Sequence, residues 1–80
     1  MEEKAVITII IGDTFEEDFE IPRNIRYEKW RPIIEQYLKR TASVGDGSLD
    51  LYYKGNNIAE NDTLKKLGVW DGCILEGAWR

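Results

Sequence analysis

The sequence predicts an α+β fold in which a mixed β-sheet wraps around one amphipathic helix. The first half contains a run of β-branched residues and then an alternating segment, which together indicate a β-hairpin. Apolar residues at spacings of three and four follow, and this is the period of a helix with one buried face. The second half, from Leu49 to Trp79, has the pattern of a strand, a short strand, a short helical turn and a last strand. A helix between two such sets of strands buries its apolar stripe against one face of their sheet.

The hairpin is predicted from two segments near the start of the chain. Lys4 to Ile11 is dense in valine, isoleucine and threonine, which suits a central strand better than a helix. Asp18 to Ile21 alternates acidic and apolar side chains, as a strand with one buried face does. Gly12-Asp13-Thr14 separates the two strands as a turn. Pro22 ends the second strand, because proline lacks the N–H that the ladder needs.

The main helix is predicted from an apolar stripe at helical spacing. Its members are Tyr27, Trp30, Ile33, Ile34, Tyr37 and Leu38. Pro32 is tolerated near the start of a helix, where backbone N–H groups lack partners in any case. We therefore expect the helix to start near Glu28 to Arg31 and to end near Thr41.

The strand that opens the second half has one buried face. Leu49, Leu51 and Tyr53 alternate with other residues and point inward, whereas Tyr52 points outward. Gly55-Asn56-Asn57 then predicts a chain reversal, because glycine and asparagine tolerate positive φ.

A short helical turn and a final strand complete the second half. Asp62 or Thr63 can cap a helical turn that runs to Leu67, and Gly68 ends it in the left-handed region. Cys73 to Trp79 has the pattern of the last strand. Its side chains divide between two faces, with Leu75, Gly77 and Trp79 on one and Ile74, Glu76 and Ala78 on the other.

Length and charge bound the kind of protein. Eighty residues form a single domain, residues 1–80, with one small core. The formal net charge of −4 leaves no basic excess to neutralise phosphates, so we expect no nucleic-acid partner. We find no signal peptide and no apolar stretch long enough to span a membrane. We therefore expect a cytoplasmic protein.

No residue pattern favours catalysis, a metal or a cofactor. The chain contains no histidine and a single cysteine, Cys73, so a Cys–His pair is excluded and a zinc site is disfavoured. The acidic run Glu16-Glu17-Asp18-Glu20 lacks the ligand spacing of a calcium loop and is interpreted as a solvated turn and strand edge. Trp70-Asp71-Gly72 is interpreted as a turn whose tryptophan could be an exposed contact. We expect a protein that is not an enzyme and holds no cofactor.

The second half resembles ubiquitin without a gap from Leu51 to Arg80. The resemblance is carried by two motifs at a fixed separation, Leu51-Tyr52-Tyr53-Lys54-Gly55 and Asp62-Thr63-Leu64-Lys65-Lys66-Leu67-Gly68-Val69, together with Ile58 and Leu75. It implies a ubiquitin-like β-grasp domain. Among small bacterial proteins of this fold, the chain is similar to the YukD/EsaB family associated with type VII secretion. That likeness rests on the chain length, on Ile-Pro before a helix with an early proline, and on an end without di-glycine.

The resemblance also implies a set of contact residues. Tyr52 and Ala78 occupy two places of the hydrophobic patch that ubiquitin uses to recognise partners. The third place lies in the first hairpin turn, near Thr14 and Phe15. An exposed tyrosine is a plausible anchor, because it brings a large apolar area with a polar tip. The alternative is that Tyr52 is a solitary surface aromatic, which is common and carries no function.

Three functional hypotheses remain open at this point. The first is a protein-binding accessory of a type VII-like secretion system, whose partners are other proteins. The second is a modifier or sulfur carrier that donates its C-terminus, which the sequence Glu76-Gly77-Ala78-Trp79-Arg80 disfavours because such proteins end in Gly-Gly. The third is a ubiquitin-like domain cut from a larger protein.

Overall fold

The computed structural model describes residues 3–13, 15–41 and 47–80. Its helices and strands are, in chain order, β1 Lys4–Ile11, β2 Phe15–Pro22, α1 Tyr27–Thr41, β3 Leu49–Tyr53, β4 Asn56–Asn57, α2 Leu64–Leu67 and β5 Ile74–Trp79. The strands form one sheet in the order β2-β1-β5-β3-β4. The two central strands, β1 and β5, are parallel, and the other neighbours are antiparallel. The prediction of a mixed sheet with one long helix is confirmed.

The core lies between the sheet and α1. Alternate residues of β1 from Ala5 to Ile9 are fully buried, as are two inward residues of β3 and one of β5, because successive side chains of a strand point to opposite faces. The strand side of this core comprises Ala5, Ile7, Ile9, Leu49, Leu51 and Leu75. The buried stripe of α1 packs against it with Tyr27, Trp30, Ile34 and Leu38. None of the helices in the described ranges is long and apolar enough to cross a membrane.

The helix differs from its prediction at two residues. It starts at Tyr27, because Asp62 and Glu60 supply carbonyl acceptors for the N–H groups of Tyr27 and Glu28 at 2.7 and 3.1 Å. Pro32 therefore lies in the second turn. Ile33 is 69% exposed and was wrongly placed in the buried stripe. It points about 100° away from the stripe's centre at Ile34, since each residue advances the helix by that angle.

The turns of the second half use the predicted kinds of residue, but the first reversal begins one residue earlier than predicted. The reversal occurs at Lys54 and Gly55, whose φ values are 52° and 82°, as a two-residue hairpin turn with two left-handed positions requires. Asn56 and Asn57, predicted within the turn, form β4 instead. In α2 the Thr63 hydroxyl accepts a hydrogen bond from the backbone N–H of Lys66 at 3.0 Å, so Thr63 is the cap.

Two side chains of α1 bind the backbone of β3 directly. The Tyr27 hydroxyl accepts from the N–H of Leu51 at 3.1 Å, and burial raises the pKa of this phenol. A Glu35 carboxylate oxygen accepts from the N–H of Leu49 at 2.9 Å. Burial alone would raise the pKa of Glu35, but the Leu49 hydrogen bond and the neighbouring Arg31 and Lys39 together hold it below its usual value of 4.5.

The lowered pKa of Glu35 makes part of the stability depend on pH. A carboxyl group with a lowered pKa in the folded state stabilises the fold above its unfolded pKa, and this contribution is lost as the pH falls through the folded pKa. We expect Glu35→Gln to lower the free energy of unfolding by about 1 kcal/mol at pH 7, since Gln keeps an acceptor but no charge. The difference between variant and wild type should shrink below about pH 4.5. Urea unfolding at several pH values measures it, and a difference that stays constant down to pH 3 or so would contradict this role.

Candidate functional site

The sheet has a second face that turns away from α1, which we call the outer face. It is formed by the alternate residues of each strand that do not enter the core. From β2 to β3 its members are Glu16, Asp18, Glu20, Lys4, Val6, Thr8, Ile10, Ile74, Glu76, Ala78, Asp50 and Tyr52. No helix in the described ranges packs on this face, and the side chains of Ile74, Glu76 and Ala78 on it are exposed.

The centre of the outer face is a row of side chains that crosses the strands. The strand register places Ile10 opposite Glu16 on one side and Glu76 on the other. Tyr52 is opposite Glu76 on its far side, and Asn57 follows on β4. Directly opposed residues of neighbouring strands have Cβ atoms about 5 Å apart, so adjacent members of this row can share one ligand.

Apolar side chains surround the carboxylate of Glu76. Ile74 and Ala78 lie two residues before and after it on β5, so they share its face. Ile10 and Tyr52 flank it on the neighbouring strands, and both are half-buried. Ile74 is 53% exposed. The structure thus brings two predicted contact residues, Tyr52 and Ala78, onto one face and adds Ile10 and Ile74 to them.

The third predicted place lies at the end of the hairpin. Phe15 pairs with Ile11 at the end of the hairpin, and both side chains lie on the inner side of the sheet, where they pack against the core. Phe15 nevertheless lines a depression at the hairpin end together with Ile10 and Glu16, so its role as a contact stays a prediction. Thr14, the other residue named for that place, lies outside the described residues.

The charges of the outer face are mostly negative. Lys4 pairs with Glu20 at 3.5 Å, and Arg80 pairs with Asp50 at 2.7 Å. Asp18 accepts a hydrogen bond from the Thr8 hydroxyl at 2.6 Å. Within the described ranges, Glu16 and Glu76 have no ion-pair partner. The apolar centre of the face is therefore bordered by two carboxylates without a counter-charge.

The other residues singled out in the sequence make the following contacts. Trp70 is 55% exposed, and its ring is covered by the guanidinium of Arg23, whose Cζ lies 3.4 Å from the ring centroid. Cys73 is half-buried, with its sulfur 4.0 Å from the Tyr53 hydroxyl. The acidic run of β2 divides between faces, since Glu17 accepts from the Tyr37 hydroxyl at 2.9 Å while its neighbours point outward. The described part of the chain contains no cluster of carboxylates and cysteine that could hold a metal ion.

Comparison with known proteins identifies the fold. No family model matches the sequence, and no curated protein does. Among solved structures, Caldiarchaeum subterraneum ubiquitin has a TM-score of 0.78 at 24% identity, over 98% of this chain and 95% of that one. The chain has the ubiquitin-like β-grasp fold. The N-terminal ubiquitin-like domain of the 4931431F19Rik protein, solved in solution, has a TM-score of 0.78 at 19% identity, over 100% of this chain and 78% of that one. The UBL domain of Plasmodium falciparum Dsk2 has a TM-score of 0.73 at 15% identity, over 94% and 96%.

These identities are low, so the likeness concerns the ubiquitin-like backbone and not a shared set of contact residues. The side chains on the outer face are this chain's own. The sequence pattern places Tyr52 on the outward side of β3 and Ile74, Glu76 and Ala78 together on one face of β5, but it does not place Ile10 beside them. The available signal was the apolar residues on both faces of β1, which indicate a strand with contacts on each side. The register of β1 with β5 places Ile10 beside Glu76, and the register of β3 with β5 places Tyr52 on the other side of Glu76.

Proposed function

We propose that this protein is a non-catalytic binding module that docks other proteins through the outer face of its ubiquitin-like sheet. The supporting observation is the group formed by Tyr52, Ile74 and Ala78, which lies on a face that no described helix covers. A half-buried tyrosine beside exposed aliphatic residues is typical of an interface centre, where aromatic side chains contribute most to affinity.

The finer part of the proposal is that the module serves a bacterial type VII-like secretion system from the cytoplasm. It is supported by Ile21-Pro22 before a helix that carries Pro32 and by the resemblance to YukD-type proteins. The genome around its gene tests this part. A neighbourhood with a secretion ATPase and W-x-G substrates would support it, and one without either would contradict it.

Affinity capture tests the docking face. The wild-type protein and Tyr52→Ala are immobilised and exposed to lysate of the source cell, and retained proteins are quantified by mass spectrometry. We expect Tyr52→Ala to reduce the retained partner at least about tenfold, the effect of removing an interface anchor. Ile33→Ala is the matched control, because it truncates a more exposed apolar side chain on α1, on the opposite side of the sheet.

The outcomes separate the parts of the proposal. If Ile33→Ala loses the partner and Tyr52→Ala keeps it, docking occurs at the helix side and the proposed face is wrong. If the captured proteins are unrelated to secretion, the docking role holds and the secretion role fails. If the protein is found covalently attached to others instead, it acts as a carrier and the docking proposal fails. Thermal unfolding of each variant confirms that it is folded.

A further inference from the structure

The carboxylate of Glu76 occupies the centre of the docking face, where an interface of the proposed kind would bury it. It lies between Ile10 and Tyr52 across the strands and between Ile74 and Ala78 along β5. A partner that covers these four apolar side chains must also cover Glu76. Burying an ionised carboxylate without a counter-charge is costly, so an apolar partner surface alone would bind weakly here.

Within the described ranges, Glu76 and Glu16 have no ion-pair partner, and Asp18 is bound only by the Thr8 hydroxyl. Lys4 is engaged by Glu20, and Arg80 is engaged by Asp50. Glu16 lies on the opposite side of Ile10 from Glu76, in the same row. Each of the two carboxylates is one strand away from Ile10, so both can reach a cation seated over the Ile10 side chain.

The surface around Ile10 has space for such a cation. Two open depressions lie on either side of Ile10 and share Gly12 and Asp13 as their floor near the hairpin turn. The one on the Glu16 side has a volume of about 370 Å³, and the one on the Glu76 side about 400 Å³. A lysine or arginine can lay its aliphatic stem on Ile10 while its charged head contacts a carboxylate.

Charge decides which kind of occupant suits this face. A second copy docked through the same face would bring Glu16 and Glu76 against the same carboxylates, and like charges in contact are repulsive. The net charge of −4 adds to that repulsion. Phosphates of nucleic acids or anionic lipids would be repelled for the same reason. A basic protein segment is complementary in charge, and its apolar residues are complementary to Ile74 and Tyr52.

We infer that the partner of the outer face is an amphipathic protein segment with a lysine or arginine at its centre, which pairs with Glu76 and packs over Ile10. This inference rests on the proposed function, because it specifies the partner of the same face. The apolar residues of the segment lie on Tyr52, Ile74 and Ala78. Further basic residues at its edge face Glu16 and Asp13.

Two synthetic helical peptides test the inference. They are about five turns long and carry the same leucine stripe, with arginine beside the stripe in one and glutamate in the other. Binding to ¹⁵N-labelled protein is followed by NMR titration at two salt concentrations. At about 0.05 M the charges of protein and peptide are weakly screened, and at about 0.5 M they are strongly screened. We expect the arginine peptide to bind at least about tenfold tighter than the glutamate peptide and to shift the resonances of Ile10, Glu76 and Tyr52.

Charge reversal at one residue supplies the decisive comparison. Glu76→Lys should raise the Kd of the arginine peptide at least about tenfold, and Glu76→Gln by a smaller factor. Glu60→Lys is the matched control, because this substitution changes the net charge as much as Glu76→Lys does. Glu60 is exposed and lies in the loop beside the start of α1. Glu60→Lys should change the Kd by less than about threefold.

Three results would overturn the inference. Equal losses in Glu60→Lys and Glu76→Lys would mean that net charge alone attracts the peptide. Equal binding of both peptides would mean that the charge of the partner is irrelevant. Absence of binding by the arginine peptide would also overturn it. In each case, loss of the captured partner in Tyr52→Ala still supports the docking face, so the two proposals fail separately.

Discussion

Replacing Arg23 with alanine should lower the free energy of unfolding by about 3 kcal/mol. The Arg23 side chain is 3% exposed and is the one buried charged residue in the described part of the chain. Its Nε donates to the carbonyl oxygen of Val69 at 2.8 Å, and its guanidinium stacks on Trp70. Alanine removes the charged donor, leaves the Val69 carbonyl without it and uncovers the tryptophan ring, so packing and hydrogen bonding are lost together.

Urea unfolding with matched variants measures this effect. Arg26→Ala is the control, because Arg26 is an exposed arginine only three residues away, and its ion pair with Glu28 is worth little. The Arg26 variant should differ from wild type by less than about 0.5 kcal/mol. The free energy of unfolding of Arg23→Lys should lie between those of wild type and Arg23→Ala. Lysine keeps the charge but cannot reproduce both the planar stack on the ring and the Nε hydrogen bond. An Arg23→Ala variant as stable as Arg26→Ala would contradict a stabilising role for Arg23.

Replacing Gly77 with valine should lower the free energy of unfolding by about 2 kcal/mol, because the inner face of β5 has no space for a side chain there. A Cβ built on Gly77 would lie 2.9 Å from Cγ1 of Ile11 and 3.3 Å from Cδ2 of Leu51. Leu51 is fully buried and cannot move aside without disturbing the core. Valine adds two methyl groups to that contact.

The neighbouring residue provides a control with the same chemistry on the other face. Ala78→Val adds branched aliphatic bulk to the exposed side of β5, where valine suits a strand. It should leave stability within about 0.5 kcal/mol of wild type, or raise it. Thermal or urea unfolding of both variants decides the matter. A Gly77→Val variant as stable as Ala78→Val would show that the space under β5 is larger than the structure indicates.

The fold could be predicted because local patterns determine most of it. The alternation in β3, the stripe on α1 and the Thr63 cap with Gly68 each depend on residues a few positions apart. The predictions differ from the structure where tertiary contacts determine the bounds of a helix or the burial of a side chain. Tyr27 begins α1 because a loop more than thirty residues later supplies its carbonyl acceptors. Ile33 lies at the border of the stripe, where spacing alone does not separate buried from exposed residues.

The candidate site was harder to predict because its neighbours come from distant parts of the chain. Tyr52 and Ala78 follow from alternation within their own strands. Ile10 joins them only through the parallel pairing of β1 with β5, which spacing along the chain does not specify. The face on which Phe15 lies is likewise set by its pairing with Ile11, which spacing along the chain does not specify. A one-residue shift of that pairing would place the Phe15 side chain on the other face of the sheet.

The most direct test of the docking face is NMR mapping of the ¹⁵N-labelled protein with the partner recovered by affinity capture. We expect the largest resonance changes at Ile10, Tyr52, Ile74, Glu76 and Ala78, all on the outer face. The competing surface is the apolar groove of about 430 Å³ between β2 and α1, which Phe19, Trp30 and Ile33 line. Changes confined to that groove would contradict the central claim, because the partner would then bind on the opposite side of the sheet.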